Sequence, residues 1–252
     1  IRFSLDCGLV AVFGQKYCNI YKIRLSHFEC THEDRLMIGL DMTEPTCSSE
    51  FKDLILDAKL LCKGNETIGL SNEAKEVALI FAHNFVEIWS LYPFARKQYV
   101  KCADHCILYC AKFFGFSASS LIVASGTVFN NILIWDPVQQ QSHSGSNVEK
   151  DVSKVEVKYR LKGHKGVLFD IDWDVHGVKL ISVSDDRTLR CWELKYANSI
   201  KKTINDTSSI LPSSLKIELF SCHDKEYTFK NAWTAFGHSA RIWKCNFFKT
   251  GI

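Results

Sequence analysis

GHKGVLFDIDWDVHGVKLISVSDDRTLRCWEL, residues 163–194, is the stretch from which the fold of the whole chain can be read. It opens on Gly163-His164 and closes on Trp192-Glu193, with Trp192 28 residues beyond His164. Three apolar runs lie between them: Val167-Phe169-Ile171-Trp173, then Leu180 to Ser184, then Thr188 to Trp192. Asp174-Val175-His176-Gly177 and Asp185-Asp186-Arg187 separate the runs and carry turn residues. Alternation at period two, broken by Gly and Asp clusters, predicts three short antiparallel strands.

The polar residues of this stretch form a consistent set. A buried indole N–H only donates and requires an acceptor. Ser182 can accept from Trp192 and donate to His164, whose other ring nitrogen can donate to Asp186. Such a relay satisfies every member and pins the register of the three strands. The spacing resembles a WD40 repeat, the unit of a β-propeller blade, in which these four positions form that network. An unrelated hairpin pair with a chance Gly-His is the alternative. The resemblance predicts an all-β fold, a WD40 β-propeller that is seven-bladed when complete. It does not assign a function, because propellers host many.

Echoes of the Trp192 strand recur along the chain. Leu9–Gly14 followed by Cys18-Asn19-Ile20-Tyr21 is one, Val77–Trp89 a second, and Leu121–Trp135 a third. Their closing aromatics, Tyr21, Trp89, Trp135 and Trp192, lie 68, 46 and 57 residues apart. Blade repeats run about 40–45 residues, so the excess belongs to connections. The chain is therefore expected to be part of one propeller, about four blades, with segments near 1–42, 51–92, 100–136, 157–194 and 232–252. Long loops are expected at 27–50, 137–153 and 195–231, with Leu36–Leu40 as a possible outer strand. Three blades are whole on this reading. A part-blade lies at each end, the last opening at Gly237-His238-Ser239-Ala240-Arg241-Ile242-Trp243. In the Trp135 repeat Ser125 is present but Phe129 replaces the turn Asp; the Trp89 repeat has Leu79 and His83 there.

Composition narrows the function. Charged residues make up 23% and the formal net charge is +3, which announces no bulk nucleic-acid or membrane patch. No apolar run approaches the roughly 18 residues of a membrane span. Eleven cysteines, mostly within apolar runs, suit a reducing, cytoplasmic compartment. Cys102, Cys106 and Cys110 are spaced by four beside His105, but no second ligand pair follows at zinc spacing, so no metal is expected. In a strand the three would share a face and pack in the core. No two of the thirteen glycines stand two apart, which removes G-x-G cofactor fingerprints. There is no P-loop, H-E-x-x-H or G-x-S-x-G, and Asp185-Asp186 is better explained as a turn than as an acid–base pair. No catalytic residue and no small-molecule substrate is expected.

Four segments in order go beyond the generic blade. They are Cys106–Phe113, Ala124-Ser125-Gly126-Thr127-Val128-Phe129-Asn130-Asn131-Ile132-Leu133-Ile134-Trp135, Leu161–Phe169 and Gly237–Trp243. Together they resemble the N-terminal propeller of the WD repeat-containing protein 6 family. That resemblance implies a non-catalytic partner of a tRNA ribose 2′-O-methyltransferase, directing it to the wobble nucleotide of the anticodon loop. The enzyme would bind S-adenosylmethionine; this chain would hold no cofactor and would meet tRNA directly or through the enzyme. A general scaffold for signalling or endosomal trafficking, without RNA, is the alternative. Candidate contact residues are Thr127, Phe129 and Asn130, Arg241, and the lysines Lys201 and Lys202. For each a structural role stands beside the functional one: Phe129 buried against a neighbouring blade, Arg241 paired with an acid, the lysines in a solvated loop.

Overall fold

The computed structural model describes residues 2–6, 9–22, 24–27, 38–41, 44–62, 74–115, 117–138, 154–196 and 227–248. The chain starts with β1 (Arg2–Asp6), β2 (Leu9–Gly14) and β3 (Tyr17–Lys22), followed by a separate hairpin of β4 (Arg24–His27) and β5 (Ile38–Asp41). Next come β6 (Cys47–Glu50), β7 (Ile55–Cys62), β8 (Ala74–Phe81), β9 (Phe85–Leu91) and β10 (Phe94–Cys102). They are followed by β11 (Leu108–Phe114), β12 (Ile122–Thr127), β13 (Asn131–Trp135), β14 (Lys154–Val155) and β15 (Tyr159–Lys162). The last four are β16 (Leu168–Trp173), β17 (Lys179–Ser184), β18 (Leu189–Tyr196) and β19 (Tyr227–Ala235). They build four antiparallel sheets, ordered β1-β2-β3-β6, β7-β8-β9-β10, β11-β12-β13-β15 and β16-β17-β18-β19, with β14 added parallel to β10. The chain is all-β, a partial propeller whose first strands stand side by side, β7 on β11 and β11 on β16.

The strands are apolar for a physical reason. β8 and β12 are flanked by strands within their sheet and by a neighbouring sheet on each face, and β17 by the third sheet on one face and residues 242–247 on the other, so side chains of both parities are buried. Val77, Leu79 and Phe81 face the first sheet, while Ala78 and Ile80 face the third. Val123 faces the second sheet, while Ile122 and Ala124 face the fourth. Beyond the fourth sheet, Ile181, Val183 and Cys191 are covered by Ile242, Cys245 and Phe247. Sheets approach closely at Gly126, where an added Cβ would stand 2.4 Å from Cys110 Sγ and 3.1 Å from Ile171 and Leu168.

One polar device recurs on first strands. Asp57 of β7 accepts from Phe113 N at 2.9 Å, with Lys112 Nζ 3.8 Å away. Asp170 of β16 accepts from Cys245 N at 3.1 Å, with Lys244 Nζ at 3.3 Å. Asp172 likewise accepts from Phe247 N at 2.8 Å. All three complete first strands bulge at the same place, between Ile55 and Asp57, Leu108 and Cys110, and Leu168 and Asp170. Cys110 therefore stands where the other two carry Asp.

Several boundaries differ from the sequence reading. The outer strand of the first sheet is Cys47–Glu50, so that sheet has all four strands; Ile38–Asp41 pairs with Arg24–His27 instead. Tyr159–Lys162 closes the third sheet rather than opening the fourth, and β19 begins at Tyr227, inside the expected loop. Residues 237–248 form no strand. Their N–H groups at Cys245 and Phe247 are taken by carboxylates of β16, and no strand pairs with them among the described residues. The three cysteines do not share one strand: Cys102 ends β10, Cys110 lies in β11 of the next sheet and Cys106 is in the connection. Among the described residues no group of three or more potential ligands could hold a metal, and no helix is long and apolar enough to cross a membrane.

Replacing Asp57 by Ala should orphan the buried Phe113 N–H and cost about 1–3 kcal/mol. Lys112→Ala, which removes a half-exposed cation, should change stability by less than about 1 kcal/mol. Urea unfolding of the two variants beside wild type checks both.

Candidate functional site

Three hairpin turns at one rim of the sheets are built alike. Asn84 N bonds Phe81 O at 3.0 Å, Asn130 N bonds Thr127 O at 3.3 Å, and Arg187 N bonds Ser184 O at 3.1 Å. The third loop residue is left-handed each time, with φ of 57° at Asn84, 64° at Asn130 and 62° at Arg187. This is the three-residue loop of a turn plus a left-handed residue; it makes His83, Phe129 and Asp186 equivalent positions. The chemistry of each repeat is decided by what stands there.

In the fourth sheet the four-residue relay is closed. Trp192 Nε1 donates to Ser182 Oγ at 2.9 Å, Ser182 Oγ lies 2.8 Å from His164 Nε2, and His164 Nδ1 lies 2.9 Å from Asp186 Oδ2. The chain of donors runs one way if Nδ1 carries the proton. Thr188 Oγ1 and Lys165 N add donors to Asp186 at 2.6 and 2.8 Å. Burial pushes the His164 imidazole below its ordinary value despite the pull of Asp186. Burial alone would raise the Asp186 carboxyl, but the Thr188, Lys165 and His164 hydrogen bonds outweigh it and hold it at about 2. This buried, fully bonded His–Asp pair is a strut between the loop and its turn.

The third sheet reaches the same end with a different residue. Trp135 Nε1 donates to Ser125 Oγ at 3.1 Å, and Ser125 donates to Asn84 Oδ1 at 3.1 Å. Asn84 belongs to the turn of the second sheet, is 1% exposed, and donates onward to Asp104 O at 2.9 Å. It does for Ser125 what His164 does for Ser182. Sequence reasoning missed it, because Asn84 lies outside its own repeat and only the sheet-to-sheet approach brings it close. In the second sheet Leu79 fills the Ser position, and Trp89 Nε1 turns to Glu87 Oε2 at 2.8 Å, itself paired with Arg96 at 3.0 Å. There the loop–turn strut is reversed: Asp53 in the loop accepts from His83 N and faces His83 Nδ1, both at 3.0 Å.

The candidate contact residues do not form one cluster. Thr127 is 2% exposed and closes its turn on Asn131, accepting from N at 3.2 Å and donating to O at 3.0 Å. Asn130 is the half-buried left-handed residue. Phe129 stands out at 68% exposure rather than against a neighbouring sheet, because the turn points it to solvent. It borders a cleft of about 550 Å³ that also holds His83, Phe85, Tyr99, Lys101 and Ile107. Arg241 sits elsewhere, paired with Asp185 at 3.1 Å and lying over the rings of Phe169 and Trp243 at 5.9 and 5.5 Å. Lys201 and Lys202 lie outside the described residues. Among the described residues the rim provides surface: an apolar cleft and a separate aromatic–arginine stack.

No protein-family model matches the chain. Among curated proteins, it is 27% identical over 207 residues to the tRNA (34-2'-O)-methyltransferase regulator WDR6 of Drosophila melanogaster, covering 80% of this chain and 18% of that protein. It is 26% identical over 239 residues to the human regulator of the same name, covering 94% of this chain and 16% of that one. The chain thus spans less than one fifth of the length of these relatives. They are named regulators of the methyltransferase, and they carry the name of the family that the four ordered segments resemble. Among solved structures, the chain is similar to one in a mitotic checkpoint complex, with TM-score 0.49 and 11% identity over 96% of this chain and 52% of that one. It is also similar to Hsv2p of Kluyveromyces lactis, with TM-score 0.46 and 10% identity over 93% of this chain and 60% of that one. The fold assignment rests on the sheet topology and not on these two.

Ser182→Ala should orphan Trp192 N–H and His164 Nε2 together, at roughly 1–3 kcal/mol for each group left unbonded. Unfolding midpoints of Ser182→Ala and Ser125→Ala, both expected to fall, check this. A second expectation concerns pH. Because His164 titrates lower when folded than the ~6.5 of a free imidazole, its contribution is whole above about pH 6.5 and declines as pH falls below it. The contribution of Asp186 is whole above about pH 4 and is lost as pH falls toward 2. Thermal unfolding between about pH 8 and pH 5 should weaken below 6.5, and His164→Gln should flatten that loss.

Proposed function

We propose that the chain is a propeller segment of a non-catalytic subunit that partners a tRNA ribose 2′-O-methyltransferase. In this reading the subunit positions the enzyme on the wobble nucleotide, position 34 of the anticodon loop. The observation that carries it is similarity to six curated regulators of that methyltransferase, at 26–27% identity over 67–94% of this chain. The physical division of labour agrees with it. Ribose methylation needs a bound methyl donor and a base poised beside the 2′-hydroxyl. The described rim offers packed sheets, structural His–Asp struts and exposed apolar surface. The partner enzyme would hold S-adenosylmethionine and do the chemistry, while this protein would contribute orientation. Contact with tRNA, directly or through the enzyme, belongs to the same proposal. So does a cytoplasmic setting, in keeping with seven free cysteines among the described residues. A scaffold role without RNA would rest on the fold alone.

The test is genetic and chemical together. Cells lacking the full-length protein should lose 2′-O-methylation at position 34 while other tRNA ribose methylations persist, read by mass spectrometry of purified tRNA. The purified full-length protein should capture the methyltransferase, and should transfer no methyl group to tRNA without it. Unchanged position-34 methylation in the null cells would sink the reading.

A further inference from the structure

The cleft beside Phe129 is the feature of the rim that structural roles leave unused. Its floor is rigid: Phe85 stacks on Phe81 at 4.5 Å and 10°, and leans on Tyr99 at 5.1 Å. Its sides are exposed and apolar, Ile107 at 52% and Phe129 at 68%. Both could have been polar without loss to the core. Concave apolar surface of this kind, with a few polar groups at its edge, is how proteins present binding sites.

The charge that lines the cleft itself is positive. Lys101 lies over the Tyr99 ring at 5.8 Å, and its partner across the added strand is Lys154. His83 and His105 complete the polar lining, and no carboxylate lines the cleft. The nearest acids are engaged, Asp53 by His83 and Asp104 by Arg160. An occupant that brings an apolar side chain and a negative charge is complementary to both parts.

We propose that this cleft docks a short peptide segment of the methyltransferase, which sets an aromatic or branched aliphatic side chain against Phe129 and Ile107 and an aspartate or glutamate beside Lys101 and Lys154. The proposal rests on the enzyme-partner reading above and says where the enzyme is held. A peptide fits better than RNA. Phosphate recognition gathers several lysines or arginines along a backbone, whereas here there are Lys101 and its strand partner Lys154, and no arginine lines the cleft. Val128 follows Ile107 onto the rim, its N–H bonded to Ile107 O at 3.1 Å, so the anchor around Phe129 is apolar, while His83, Tyr99, Lys101 and His105 form the polar part of the lining. An apolar anchor flanked by a charge pair is, by contrast, the usual core-and-rim pattern of a protein interface.

The full-length protein and its purified methyltransferase would be titrated by biolayer interferometry, and the same protein samples would be titrated against tRNA. Phe129→Asp and Lys101→Glu should each weaken enzyme binding at least ten-fold while keeping the wild-type unfolding midpoint. Val175→Asp, at another exposed apolar site in the β16–β17 turn at the other end of the sheets, should bind as wild type. Wild-type capture of the enzyme with unchanged affinity in both cleft variants would overturn the docking site and leave the enzyme-partner reading standing. Loss of tRNA affinity alone in the cleft variants would make the cleft an RNA site and overturn the peptide proposal. Absence of enzyme binding by the wild-type protein would overturn both readings together.

Discussion

The structure depends on one constraint: the middle strands of each sheet are apolar on both faces and must be covered on both. Leu79 and Ile80 are neighbours in sequence, point opposite ways, and are each fully buried. A single sheet cannot satisfy that, nor can a two-layer sandwich, whose outer faces meet water. Stacking sheet after sheet does, and each junction becomes a core of its own. The same constraint explains residues 237–248, which cover the outer face of the fourth sheet without forming a strand.

Burying whole sheets strands polar groups, and the repeats solve this with different residues. The indole N–H of Trp192 and of Trp135 both find a serine hydroxyl, but the hydroxyl passes its proton to His164 in one case and to Asn84 in the other. Trp89 abandons the arrangement and bonds Glu87. The loop–turn strut is His-to-Asp in the fourth sheet and Asp-to-His in the second. What persists is the requirement that a buried donor be bonded, not the residue that meets it. The carboxylates of Asp57 and Asp170, on first strands, cap N–H groups of the segment packed beside them, β11 in one case and residues 237–248 in the other, with direction that apolar packing lacks.

Asp186 is consumed by its strut, whereas Phe129 at the equivalent position is 68% exposed and borders the cleft. The substitution that breaks the generic repeat pattern is thus also the one that makes surface available. Arg241, by contrast, spends its charge on Asp185 and its face on two rings.

The sequence by itself determined the all-β class, the three strands and two turns of residues 163–194, the His164–Ser182–Asp186–Trp192 set and the family resemblance. All of these depend on spacing within one repeat, where period two and turn chemistry act over a few residues. Only the tertiary structure decided the outer strands. Cys47–Glu50 and Tyr227–Ala235 have one half-exposed side and weak alternation, and they join their sheets across long connections. It also decided that Asn84 serves Ser125 from 41 residues away, and that Cys102 and Cys110 belong to different sheets. The exposure of Phe129 and its cleft with Lys101 arise where two sheets and a loop meet. Such contacts are set by how sheets stack, and no local period in the chain encodes them.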